Sequence, residues 1–172
     1  MEIYRRDDEL WDIEANVVDV KHKDFPLETL VRKAGEHFHD MLLTLTIDER
    51  MSVVAVQAQT RAAPYEQDCK NFSEVYQKLV GLNLLQSFRA AVRERVGDNK
   101  GCTHINELAA ILPTAAIQAF AGEMKRPDRA DGSMPKHIDR CHALRRDGPV
   151  VARRYPSWYI HSQTGEEKNE NP

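Results

Sequence analysis

The segment LTLTI at residues 43–47 alternates apolar and hydroxyl-bearing side chains with a period of two, which is typical of a strand with one buried face. The same alternation precedes it at residues 11–17 and follows it at residues 54–58. No helical pattern long enough for a crossover separates these strands. We therefore predict a three-stranded antiparallel meander.

After the third predicted strand, the apolar residues follow the spacing of a helix. From Pro64 to Val80 apolar residues recur at every third or fourth position, which predicts an amphipathic helix ending near Gly81. Two further helices are predicted at residues 84–96 and at residues 103–121. Strands followed by helices indicate an α+β fold, with an antiparallel sheet covered on one face by three helices.

The C-terminal part has a less regular pattern. Residues 138–144 and 150–155 predict a last hairpin, with Asp147-Gly148 at its turn. Residues 125–135 are predicted as a loop. We expect residues 1–160 to form a single domain and residues 161–172 to form a frayed polar tail.

Composition and charge exclude several classes of partner. A formal net charge of −3 over 172 residues gives no general attraction to nucleic acid or to an anionic membrane. No segment is apolar over the roughly 20 residues that cross a bilayer, and no nucleotide-cofactor motif occurs. The 3 cysteines are too few for a disulfide framework, so we expect a reducing cytoplasm. The expected partner is a small-molecule substrate, and a homodimer is compatible with the sequence.

Cys102 and His104 lie two residues apart, where a loop ends and the third predicted helix begins. Thr103 is predicted to cap this helix through its hydroxyl, and the positive end of the helix dipole favours a thiolate at Cys102. Cys102 is therefore a candidate nucleophile. His104 and His39 are candidate general acids or bases.

Thiolates and imidazoles are also the ligands that zinc prefers, usually as four in a tetrahedron. If distant segments converge on one cavity, a zinc ion is predicted there. Its candidate ligands are Cys69, Cys102, His104, Cys141 and His39. No CxxC pair supports this by spacing. Cys69 fits a core position on an apolar helical stripe equally well, and His39 fits a structural position at a strand end.

Basic and aromatic side chains suggest a site for an anionic ring. The residues predicted to bind a carboxylated aromatic substrate are Arg61, Tyr65, Arg140, Arg153 and Tyr155. A hydrated face of the C-terminal hairpin explains the arginines as well.

Several motifs occur in a characteristic order along the chain. They are His39-Asp40-Met41, Pro64-Tyr65 followed by Cys69, Gly101-Cys102-Thr103-His104, Asp139-Arg140-Cys141-His142-Ala143-Leu144 and Tyr155-Pro156. In these motifs the chain resembles the bacterial domain-of-unknown-function family 2889, over about residues 11–159. The family name carries no activity, and the resemblance suggests an origin in bacteria that break down aromatic compounds.

The layout is more distantly similar to iron–sulfur scaffold proteins of the NifU type. That likeness implies three cysteines and an Asp or His around a cluster or a zinc ion, with Cys69 and Cys102 at the second and third cysteine positions. The first position falls near Phe38-His39-Asp40, where no cysteine is present. Zinc or iron held by His39 or Asp40 remains compatible with the likeness.

Three functions follow from these observations. The first is a small-molecule enzyme, a lyase or hydrolase, built around the cysteines and histidines. The second is a metal or iron–sulfur carrier. The third is a non-catalytic domain in which the same residues hold a structural metal.

Overall fold

The computed structural model describes residues 1–28, 30–70, 73–120, 134–135 and 137–161. The chain divides into two compact units, residues 1–123 and residues 124–172, which are described separately below. The fold is α+β, as predicted, and the sheet and its covering helices belong to the first unit. The single domain stays a prediction, and the predicted tail beyond His161 lies outside the described residues.

The main sheet has four strands in the order β1-β2-β5-β6, all antiparallel. The predicted meander is confirmed as β2, β5 and β6. Two features were not predicted: β1, which adds an edge strand beside β2, and a two-stranded ribbon of β3 and β4 within the segment that joins β2 to β5. The strands are β1 Glu2–Arg5, β2 Trp11–Val20, β3 Phe25–Pro26, β4 Val31–Arg32, β5 His37–Ile47 and β6 Val53–Ala62.

The helices of the first unit are α1 Glu66–Lys70, a 3-10 helix Ser73–Leu79, α2 Phe88–Val96 and α3 Thr103–Ala119. The prediction of one continuous helix over residues 64–80 is wrong. Tyr76 and Leu79, three residues apart, are both buried, and a 3-10 helix places such residues on one side.

The second predicted helix begins later than expected. The backbone N–H of Leu84 bonds to the carbonyl of Met51, and Asn83 bridges to Ser52, so these residues extend the sheet instead. The prediction that Thr103 is the N-cap is also wrong, because Thr103 is the first helical residue. Cys102 occupies the cap position and makes no side-chain capping bond.

The core lies between the sheet and the helices. α3 packs on β2 and β5, while the 3-10 helix packs on β6. Along β2 and β5 the alternate residues Ile13, Ala15, Leu43 and Leu45 are fully or almost fully buried. The period of two therefore specifies which sheet face the helices cover.

The second unit contains α4 Pro149–Arg154, with 3-10 turns His142–Leu144 and Pro156–Trp158. The predicted C-terminal hairpin is wrong. Pro149 lies in the first turn of α4, where its missing N–H costs nothing and its fixed φ suits a helix. The predicted loop at residues 125–135 lies almost wholly outside the described residues.

Candidate active site

The apolar rows of β2 and β5 end in a polar pair. Asp19 and His39 are direct partners in the antiparallel register, one pair beyond the buried stretch, and a bulge follows between Asp19 and Val20. Asp19 Oδ1 lies 2.7 Å from His39 Nδ1 and also accepts the His39 backbone N–H at 2.8 Å. The carboxylate therefore fixes the orientation of this imidazole.

His104, in the first turn of α3, covers this pair. Its ring centroid lies 4.2 Å from that of His39, with 35° between the planes. Burial lowers the pKa of His104, the nearby His39 lowers it further, and the Asp19 charge partly offsets both. At Asp19 burial acts to raise the pKa, but bonds from His39 and Lys21 outweigh it and leave the pKa below its ordinary value.

Cys102 brings a thiol to the imidazoles. Its Sγ lies 3.8 Å from His104 Nδ1, and 3.5 Å from the thioether Sδ of the buried Met41. The thiol is half-buried and packs against the hydrophobic core. The structure therefore brings together Cys102, His104 and His39, the three predicted catalytic residues.

The backbone of Cys102 is held by a buried tyrosine. The Cys102 N–H donates to Tyr76 Oη at 2.7 Å, and this hydroxyl lies 3.1 Å from both the Cys102 carbonyl oxygen and Asn106 Oδ1. Asn106 Nδ2 in turn donates to the carbonyl of Val96 at 2.8 Å. Tyr76 is 0% exposed, and burial raises the pKa of its hydroxyl. It therefore stays a neutral donor and acceptor.

The turn before Cys102 requires a glycine. A Cβ at Gly101 would lie 2.7 Å from the Val96 carbonyl oxygen and 2.8 Å from Tyr76 Oη. The first contact is with backbone and the second with a side chain that has no room to move, so any larger residue displaces this turn.

Cys69, in α1, is half-buried against the same core. Burial raises the pKa of its thiol, the charges of Cys102 and Asp68 add to this, and a hydrogen bond involving the Tyr65 backbone opposes it. Cys69 therefore remains protonated at neutral pH.

The ring of Phe38 lies beside His39 and is itself in contact with Phe25 and Lys21. Phe38 and Phe25 meet edge to face at 5.1 Å, and the Phe38 ring lies the same 5.1 Å from His39. Lys21 Nζ stands 4.7 Å above the Phe38 ring and 3.3 Å from Asp19 Oδ2. These side chains form the aromatic rim, defined as Lys21, Phe25 and Phe38.

Asp40, the next residue along β5, serves a separate cluster. Its carboxylate accepts a bond from Asn16 Nδ2 at 2.9 Å and faces His37 Nδ1 at 3.3 Å. These bonds account for a buried carboxylate between two strands.

The remaining predicted residues fall in two places. Arg61 is exposed in the first unit, and Tyr65 there is 66% exposed. Arg140, Cys141 and Arg153 are exposed in the second unit, where the half-buried Tyr155 contacts His137 at 5.2 Å between ring centroids. Their predicted roles as ligands of a metal or a substrate stay predictions.

Among the described residues, no three side chains of His, Cys, Asp or Glu are grouped closely enough to hold a metal ion. Within the same residues, no helix is both long and apolar enough to cross a membrane. The predicted zinc or iron stays a prediction.

Sequence reasoning missed four groups of this site: Asp19, Met41, Tyr76 and Asn106. Asp19 had a signal, because the alternation through Trp11, Ile13, Ala15 and Val17 reaches it in the same phase. A carboxylate at the end of an apolar row marks the place where the buried face meets a polar site.

Comparison with known protein families finds a match over most of the chain. A family described as a protein of unknown function, DUF2889, matches residues 1–118, which include every residue of the Asp19, His39, Cys102 and His104 cluster. The matched region ends before the Asp139–Leu144 and Tyr155-Pro156 motifs. No curated protein and no solved structure matches the chain. Since the match spans more than half of the chain, the protein belongs to the DUF2889 family.

Proposed function

We propose that this protein is a small-molecule enzyme, a hydrolase that uses Cys102 as its nucleophile. One observation supports this above the others. Four side chains are linked by successive contacts. Asp19 lies 2.7 Å from His39, the ring centroids of His39 and His104 are 4.2 Å apart, and His104 lies 3.8 Å from the thiol of Cys102. A nucleophile beside a base that a further group orients is the arrangement of covalent catalysis.

In the proposed reaction His104 accepts the proton of Cys102, and the thiolate attacks an acyl carbon of the substrate. His104 then returns the proton to the leaving group. Water, deprotonated by the same imidazole, releases the acid from the thioester. His104 suits this role because its lowered pKa keeps it neutral, and therefore basic, at neutral pH.

A lyase is the second candidate, and it is favoured by the contact of His39 with His104. Two imidazoles whose ring centroids are 4.2 Å apart supply one acid and one base without any covalent step. The two candidates differ in their need for the thiol.

We propose a carboxylated aromatic compound as the substrate class. The aromatic rim next to His39 supports this, because the Phe25 ring, which is 43% exposed, offers an aromatic contact to a substrate ring, and Lys21 offers a cation to its carboxylate. A reducing compartment such as the cytoplasm suits the reaction, since all three cysteines are free.

The test is turnover of aryl esters and aryl thioesters, with and without a ring carboxylate, by wild type, Cys102→Ser and His104→Gln. The hydrolase predicts a loss of roughly 100-fold or more in both variants, while the exposed His22→Gln serves as the matched control. A substrate turned over equally by wild type and Cys102→Ser would reject the thiol hydrolase. Ester turnover that is lost in His104→Gln alone would also reject the thiol as nucleophile, because water activated by the imidazole would then attack the ester. A lyase predicts no turnover of these esters by any of the three proteins.

A further inference from the structure

We infer that Cys102, Met41 and His104 form a binding site for a soft monovalent metal ion, Cu(I). This goes beyond the proposed reaction and does not depend on it. The three ligand atoms are Cys102 Sγ, Met41 Sδ and His104 Nδ1, which come from β5 and from the start of α3.

Two of the three distances between the ligand atoms fit one ion. Two ligand atoms bound to the same small metal at ~2.0–2.3 Å lie roughly 3.5–4 Å apart. Sγ lies 3.5 Å from Sδ and 3.8 Å from Nδ1, so each neighbour lies at the separation expected of a second ligand to an ion bound to Sγ.

The ligand types select the metal. A thioether is soft and uncharged, and together with a thiolate it favours Cu(I), whereas zinc prefers a fuller set of thiolate, imidazole and carboxylate ligands. The described residues offer no group of three such side chains for zinc. Methionine completes a set only for a soft ion.

The charge balance of the site also favours Cu(I) over a divalent ion. Met41 is 1% exposed and Cys102 is half-buried, so any net charge left there is costly. Binding of Cu(I) releases the thiol proton and leaves a neutral thiolate–Cu(I) pair, while a divalent ion on the same ligands leaves a positive charge. Asp19 and His39 act as positioning groups, because the carboxylate orients His39 and His39 packs on the ring of His104.

The experiment is an anaerobic titration of the full chain with Cu(I), in competition with a chromophoric Cu(I) chelator. We expect one tightly bound ion per chain. Loss of an outer partner of a metal ligand already costs about 10–100-fold in affinity, so Met41→Leu and Cys102→Ser should each weaken binding by at least roughly 100-fold. Met51→Leu, at another buried methionine, should bind as wild type does.

X-ray absorption on the wild-type complex gives a second measurement that needs no variant. Two sulfur ligands and at least one imidazole nitrogen are expected, and one sulfur should disappear in Met41→Leu. Equal affinity in Met41→Leu and wild type, or a wild-type spectrum with a single sulfur ligand, would overturn the inference. Zn(II) binding as tight as that of Cu(I) would also overturn it.

Discussion

The carboxylate of Asp19 faces the imidazole of His39 at 2.7 Å, between two residues that are direct cross-strand partners at the end of a buried sheet face. The strand register therefore sets this contact, and no loop conformation is needed to bring the two groups together. Their alignment depends on the same pairing that aligns the apolar core.

Replacement of Asp19 by Asn should slow alkylation of Cys102 by iodoacetamide. The Asp19 charge favours protonated His104, and with it the imidazolium–thiolate pair, so its removal should reduce the alkylation rate at neutral pH. Asp24→Asn removes a carboxylate from an exposed ion pair with Lys33 and is the control. Equal rates in Asp19→Asn and wild type would contradict the role of the pair.

Replacement of Tyr76 by Phe should lower the free energy of unfolding by about 1–3 kcal/mol, because the Cys102 N–H and the Asn106 side chain lose a buried partner. Urea denaturation measures this loss. Tyr4→Phe, which removes an exposed hydroxyl bonded to Glu2, should change stability little. Similar losses in both variants would show that the hydroxyl of Tyr76 is unimportant.

Replacement of Gly101 by Ala should destabilise the protein by about 1–3 kcal/mol and also change the reactivity of Cys102, because the new Cβ displaces the turn that carries the thiol. The comparison is Gly81→Ala. Gly81 has φ +82° and open space around it, so alanine there causes only backbone strain. Both variants should have a lower melting temperature, and only Gly101→Ala should alter the alkylation rate of Cys102. An unaltered rate in Gly101→Ala would refute the tight turn.

Stability should fall as the pH falls below about 6.5. In the folded protein the pKa of His104 is lowered, chiefly by burial, while the unfolded chain returns it to its ordinary value. The unfolded chain then binds more protons in this range, so acid favours unfolding. Asp19, also lowered, contributes in the same direction only near and below its ordinary value of 3.8.

Urea denaturation at about pH 7 and about pH 5 tests this dependence. The difference between the two free energies of unfolding should shrink in His104→Gln and remain at the wild-type size in His22→Gln, a change at an exposed histidine. An undiminished difference in His104→Gln would assign the acid sensitivity to other groups.

The meander of β2, β5 and β6 was predictable, because the alternation of apolar and polar residues in a strand is a local signal. The start of α3 and the closeness of Cys102 to His104 were predictable for the same reason, since both depend on residues adjacent in sequence. The pairing of Asp19 with His39 was not predicted, because the register between two strands depends on the length of the segment that joins them.

The region after β6 was harder to predict. Residues 64–80 have a spacing that suits an α-helix, yet Tyr76 and Leu79 are packed by a 3-10 helix. The hydrogen bond between the Cys102 N–H and Tyr76 Oη joins residues 26 positions apart, and no local sequence pattern predicts it. In the second unit, Pro149 indicates a helix start in place of the predicted strand, because proline suits the first turn of a helix far better than a strand.

The cluster around Cys102 draws its groups from β2, β5, the 3-10 helix and α3, which are distant in sequence. A nascent chain can pair its strands before residue 102 has been synthesised, but it gains neither the thiol nor the imidazole of α3 until later. The cluster is therefore complete only after α3 has been synthesised and has packed on the sheet. The reactivity of one thiol thus reports whether sheet and helix have docked.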